Sequence, residues 1–285
     1  MFDLEVLKRN ALNRRAFLAR MSAAGLGAAA VALLEGCGGS DNSSSNNNNP
    51  PADGVSAAVR RAFPNVPGST DNQVVLNYAY SLEILEAYLY LVGLNVASGR
   101  APLTPLDPTP PAPGTTGGYT QTVPNGTVAA GFAFPAFLYL VQFAYVEAAH
   151  RDFLQTVLGS AAAPVVPASG RYKYGTPDGS PGGTLGSILS ALLPLEETGV
   201  RAYLGAAPYL TDNATLQAAA TIYSTECRHS AAVEYILGID PGPARGIAGV
   251  PQPEQEVATG VAANVFEKFL APSVVLNAVA SALFV

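Results

Sequence analysis

Histidine occurs only twice in these 285 residues, and each time a glutamate stands three positions before it: Glu147 with His150, and Glu226 with His229. On an α-helix, positions i and i+3 share a face, so each pair aims one carboxylate and one imidazole at the same point. Glutamate fills 12 of the 285 positions, so a single coincidence is a roughly 4% event and two together are rare. Carboxylates with imidazoles are a donor set for iron or manganese, and zinc accepts the same donors. Cysteine offers no competing chemistry. Cys37 and Cys227 are the only two, too few for a disulfide framework or a cysteine-based zinc site.

A pair of such motifs makes a two-metal site when two further helices each add a glutamate. Glu83 and Glu86 stand on one candidate helix, Glu196 and Glu197 on another. Both helices carry Leu-Glu, six intervening residues and Tyr: Leu82-Glu83 to Tyr90, and Leu195-Glu196 to Tyr203. That internal match favours Glu83 and Glu196 as ligands. Glu86 and Glu197 then support the site or face solvent. Tyr90 and Tyr203 lie two turns from the glutamates on the same face, as hydrogen-bond donors, redox-active groups or amphipathic core residues. Four carboxylates facing one bundle core would repel and be poorly solvated. Two divalent cations neutralise them, so two metal ions, Fe or Mn, are the expected cofactors.

Four helical stretches would hold these residues. The first runs from Asp71, read as its N-cap, to about Ala97, with apolar residues at helical spacing. The second runs from about Phe134 to Leu158, with Pro135 in its first turn and Gly159 at its end. The third spans about Leu185 to Ala207 and contains Pro194, where a kink is expected. The fourth spans about Asn213 to Leu237, capped by Thr211 or Asp212 and stopped by Gly238. The expected fold is an all-α four-helix bundle over residues 70–238. A short link joins the third and fourth helices. The 159–183 connection is long enough to cross the bundle between the second and third. Residues 98–130, rich in Pro and Gly, read as a loop insertion. Glu196 and Glu226 are 30 positions apart and Glu83 and Glu147 are 64 apart; the excess of 34 nearly equals the 33 residues of that stretch. Residues 239–285 read as a loop followed by one or two short apolar helices.

Residues 1–36 read as an export signal: Arg14-Arg15 with Ala16-Phe17-Leu18, then an apolar run from Ser22 to Leu34. The order resembles a twin-arginine signal. Leu34-Glu35-Gly36-Cys37 resembles a lipobox, in which Cys37 would be lipidated; the alternative is an uncleaved anchor. Residues 37–69 are a Ser/Asn/Pro-rich tether and lead-in. The chain is therefore expected in the periplasm or cell envelope, touching the membrane only through its N-terminus. The net charge of -6 gives no basic footprint for nucleic acid. With 49% hydrophobic and 13% charged residues it can bury a sizeable core, and a homo-oligomer would suit it.

The stretches Val75–Tyr90 and Leu195–Pro208 resemble the first and third helices of the ferritin-like family that includes plant desiccation-related proteins. The resemblance covers about residues 70–238 and implies the bundle and the di-metal ligand set: Glu83, Glu147, His150, Glu196, Glu226 and His229. Two function classes fit. One is a di-iron or di-manganese oxidoreductase reacting with dioxygen or peroxide in oxidative or desiccation stress. The other is a non-catalytic, metal-binding protective protein of the cell envelope. A hollow storage shell is disfavoured by the insertion and the tether.

Overall fold

A computed structural model describes residues 54–106, 121–123, 126–128, 130–174, 185–239, 241–242, 248–256 and 267–284; for 121–135, 256 and 282 the described part is backbone only. The export signal, most of the tether and Cys37 lie outside the described residues. The elements in chain order are α1 (Ala57–Ala62), α2 (Asp71–Ala97), β1 (Gln121–Val123), β2 (Gly126–Val128), α3 (Ala130–Leu158), α4 (Leu185–Ala206), α5 (Asn213–Ile236), β3 (Glu254–Glu256), β4 (Lys268–Leu270) and α6 (Pro272–Leu283). Among the described residues no helix is long and apolar enough to cross a membrane.

Helices α2 to α5 form the bundle. Helix α2 packs on α3 and α4, and α5 packs on α4 and α3. Local chemistry sets their ends. Thr70, not Asp71, caps α2, its side chain accepting from the Gln73 amide. Asp71 is the first helical residue, where a carboxylate suits the positive end of the helix dipole, and it accepts from the Ser56 amide at 2.7 Å. Asp212 caps α5 by accepting from the Thr215 amide at 2.7 Å. Helix α5 ends in a Schellman motif. Gly238 takes φ +71°, and Gly238 and Ile239 donate back to the Tyr235 and Glu234 carbonyls. Helix α3 begins four residues earlier than its sequence pattern indicates, so Pro135 falls in the second turn. One lost amide bond near an N-terminus is outweighed by burial along the rest of the helix.

The connection after α3 shows how the chain crosses the bundle. The Asn77 side chain, six residues into α2, donates to the Ala161 carbonyl at 3.0 Å and accepts from the Ala163 amide at 2.7 Å. The Val165 amide donates to Ser81 Oγ at 2.8 Å. Farther along, the Tyr174 hydroxyl donates to the Leu89 carbonyl. The chain thus climbs α2 from its first turns toward its last before α4 begins. Gly93 is the reason it fits: a Cβ there would meet Tyr174 and Ile188. This climb makes α4 antiparallel to α2 and parallel to α3. The other end is closed by Asn72, which donates to Asp212 and accepts from the Thr211 amide at 2.9 Å.

Two regions differ from the sequence expectation. The 98–130 stretch is not all loop, since β1 and β2 pair antiparallel with Gln121 opposite Val128. The C-terminal segment holds one described helix, α6, preceded by a strand pair β3–β4 with Glu254 opposite Leu270. These three-residue strands carry no alternating pattern, because Glu-Gln-Glu is polar throughout. Their position is decided by α4: a Cβ on Gly205 would overlap the Leu270 carbonyl oxygen. Only glycine lets β4 lie against that helix. Arg201, fully buried, then pairs with Glu197 at 2.6 Å and reaches Glu254 at 3.7 Å. The lead-in contributes too. Val55, Val59, Phe63 and Val66 are buried with Val74, Val75 and Tyr78 of α2.

Candidate metal centre

Six side chains converge midway along the bundle: Glu83 from α2, Glu147 and His150 from α3, Glu196 from α4, and Glu226 and His229 from α5. Among the described residues two groups have ligand atoms that all lie within 4.8 Å of one another: Glu83, Glu147, His150 and Glu226; and Glu147, Glu196, Glu226 and His229. Each group could hold a metal ion. Glu147 and Glu226 belong to both, so they are the residues able to bridge two ions. His150 Nδ1 lies 3.3 Å from Glu83, 3.1 Å from Glu147 and 3.4 Å from Glu226. His229 Nδ1 lies 2.5 Å from Glu147 and 3.7 Å from Glu196. Phe143 stacks on the His229 ring at a centroid distance of 4.0 Å and fixes its plane.

Exchanging α2 and α3 for α4 and α5 turns one group into the other. The tyrosines obey the same exchange, but across the bundle. The Tyr203 hydroxyl donates to Glu83 Oε1 at 2.5 Å, and the Tyr90 hydroxyl donates to Glu196 Oε1. Each tyrosine therefore orients the glutamate of the opposite helix, not the one on its own face. This reciprocal pairing is a contact between α2 and α4, and a single-helix pattern cannot contain it.

The exchange fails at one position. Three residues after Glu83 stands Glu86; three after Glu196 stands Gly199. A Cβ on Gly199 would lie 3.0 Å from Glu86 Oε1 and 3.2 Å from Glu226 Oε2. The missing side chain on α4 thus makes room for an additional carboxylate. Glu86 is 2% exposed, so it is no surface residue, although it belongs to neither group. Aligning the two Leu-Glu stretches places Glu86 against Gly199, a signal already present in the sequence. Glu197 turns away from the centre, pairing with Arg201 and accepting from Ser230. Cys227 is half-buried and free, its thiol pushed up by burial.

The electrostatics of the metal-free site are unfavourable. Burial first, and then neighbouring carboxylates, raise Glu86 and Glu226 well above the ordinary carboxylate range. Glu196 is likewise raised by burial, against the pull of His229. Glu147 is pushed up to about 8, by burial before anything else. Burial pulls His150 down, but the Glu147, Glu226 and Glu83 carboxylates beside it more than reverse this and hold it high. His229 is lowered by burial, with Glu196 opposing. Burial also raises Tyr90 and Tyr203 well above the ordinary phenol value.

Several donor atoms also lack partners outside the cluster. Glu83 Oε2, Glu147 Oε1, Glu196 Oε2, both Glu226 oxygens and His229 Nδ1 are buried and make no hydrogen bond of ordinary geometry; what lies near them is the cluster's own carboxylates and imidazoles. A buried polar atom left so costs on the order of 1–3 kcal/mol. Hard oxygen donors with two imidazoles, all aimed at two points, fit a pair of divalent cations, which would satisfy these atoms and cancel the repulsion together.

Residues 71–238, more than half of the chain, match the Ferritin-like domain family, and the chain belongs to that family. Comparison with curated proteins gives no match.

Proposed function

We propose that the chain is an exported di-metal carboxylate protein, with iron or manganese, that reacts with dioxygen or peroxide as a defence against oxidative or desiccation stress. The observation that carries this reading is the pair of overlapping Glu/His groups, in each of which several buried donor atoms find no hydrogen-bond partner outside the cluster. Four residues serve each metal position, against the six donors iron and manganese prefer, so positions stay open for a small oxidant. When bound, the two ions would supply electrons to that oxidant. The protein's own part is to hold the donors, to exclude bulk water with a buried shell, and to orient Glu83 and Glu196 through Tyr203 and Tyr90. His150, whose side chain is 15% exposed, offers a polar approach from solvent.

The test is elemental analysis of the purified full chain, followed by dioxygen and peroxide consumption on the same sample. Iron or manganese near two per chain with turnover of either oxidant is the expected result. Metal without turnover would favour the protective, non-catalytic role, and absence of metal would end the di-metal reading. Export rests on Arg14-Arg15 and the apolar run after them. Unprocessed chain should accumulate inside the cell when both become Lys; normal export would refute the twin-arginine route.

A further inference from the structure

A cavity borders the centre. It lies in the bundle core among all four helices and is lined by Ala79, Leu82, Leu154, Tyr203, Ala219 and Ile222, among others. Each helix brings it close to the ligands. Ala79 is one turn before Glu83, Leu154 one turn after His150, and Ile222 one turn before Glu226. A turn is about 5.4 Å, so the cavity sits directly beside the metal positions. Tyr203 joins the two, forming part of the cavity wall while its hydroxyl donates to Glu83.

Its size is about 20 Å³, against the roughly 10–15 Å³ that one water-sized molecule needs. Its chemistry excludes water all the same. Every lining side chain is aliphatic or aromatic, and the polar atoms among them are the hydroxyls of Tyr78 and Tyr203. The Tyr203 hydroxyl gives its only proton to Glu83, so toward a water it could only accept. The Tyr78 hydroxyl is buried without a partner. A buried water typically makes about three hydrogen bonds, and one free hydroxyl with a second that can only accept falls short of that. Peroxide, with two hydroxyls to satisfy, is rejected for the same reason. The wall also meets solvent, because Phe153, 41% exposed, and the partly exposed Ala218 and Ala219 belong to it.

We infer that this cavity is the holding site for dioxygen on its way to the metal centre, entered between α3 and α5, while polar reagents approach past His150. A small apolar diatomic fits the volume, needs no hydrogen bond and partitions from water into apolar surroundings. The inference rests on the oxidant reading above and narrows it to one substrate.

Xenon, an apolar probe of similar size, separates the two. The full chain would be studied under xenon pressure, by diffraction or by xenon NMR, beside Ala219→Leu, which fills the cavity from a partly exposed position. Ala218→Leu is the second variant, and circular dichroism checks that each folds. The expected result is xenon bound in the wild type and absent from the filled variant. Dioxygen consumption by the iron(II)-loaded variant should fall several-fold, with peroxide consumption unchanged. An empty cavity under xenon, or a dioxygen rate indifferent to filling, overturns the inference. So does an equal fall in both rates. A wild type that binds xenon in the cavity yet consumes neither oxidant overturns the oxidant reading instead, and the dioxygen assignment with it.

Discussion

Glu226→Gln is expected to shift the metal-free and metal-loaded proteins in opposite directions. In the metal-free chain Glu226 is fully buried, His150 lies 3.4 Å from its Oε1, and burial and then Glu147 oppose its charge more than His150 supports it. The amide keeps the shape and needs no proton, whereas Glu226, ionised in the unfolded chain, must take one up to fold, so the stripped variant should be more stable than the stripped wild type at neutral pH, by on the order of 1–3 kcal/mol. The loaded protein behaves the other way. Glu226 belongs to both ligand groups, so its loss weakens both metal positions, and the stabilisation by metal should largely disappear. Thermal unfolding of both proteins, stripped and loaded, reads the two effects. At acid pH the stripped difference should vanish, since Glu226 is then protonated in the unfolded chain as well. Equal destabilisation of both forms would mean that Glu226 is a packing residue with no part in metal binding.

The second large effect is that of metal itself, and its dependence on pH. Glu147 has a folded pKa raised from 4.5 to about 8, and Glu86, Glu196 and Glu226 are raised as well. The folded, metal-free protein therefore keeps protons that the unfolded chain has already released. A raised pKa contributes stability that is fully present below the unfolded value and lost as pH rises through the folded one. Metal-free stability should accordingly fall between about pH 4.5 and 8. The raised His150 acts in the same sense above 6.5. The lowered His229 acts in the opposite sense, losing stability as pH falls below 6.5, and four carboxylates outweigh it. Divalent metal takes the place of those protons. At a thousandfold excess over its dissociation constant, a bound ion stabilises by about 4 kcal/mol. The gain should be larger at pH 8 than at pH 5.5, because fewer protons must be displaced. Denaturation with Mn(II) or chelator at the two pH values checks this, and calorimetry in buffers of different ionisation heat should record proton release. A midpoint indifferent to metal at both pH values would contradict the site.

Glu86 shows where reading from sequence stops. Its distance from Glu83 puts both on one face of α2, so helical geometry alone leaves either free to reach the centre. The internal match to Leu195-Glu196 selects Glu83 but leaves Glu86 as a supporting or surface residue. Only the approach of α4 determines that Glu86 is buried, because the space it fills is the absent side chain of Gly199. Glu197 is ambiguous for the same reason, one position from Glu196, until Arg201 and Ser230 draw it away.

What the chain determines by itself is what lies within one helix or one connection. The i, i+3 spacing puts Glu147 beside His150 and Glu226 beside His229. Apolar periodicity, with Thr211 or Asp212 before the fourth helix and Gly238 after it, delimits the helices, and the length of the 159–183 segment permits a crossover. Such features repeat with the period of the backbone and need no partner to be recognised. What only the tertiary structure decided lies between elements. It exchanged the tyrosines, so that Tyr203 serves Glu83 and Tyr90 serves Glu196. It laid β4 on α4 at Gly205, and it left an apolar cavity one turn from the ligands. Contacts of this kind depend on how close two backbones come, and that distance is set by packing across the whole bundle.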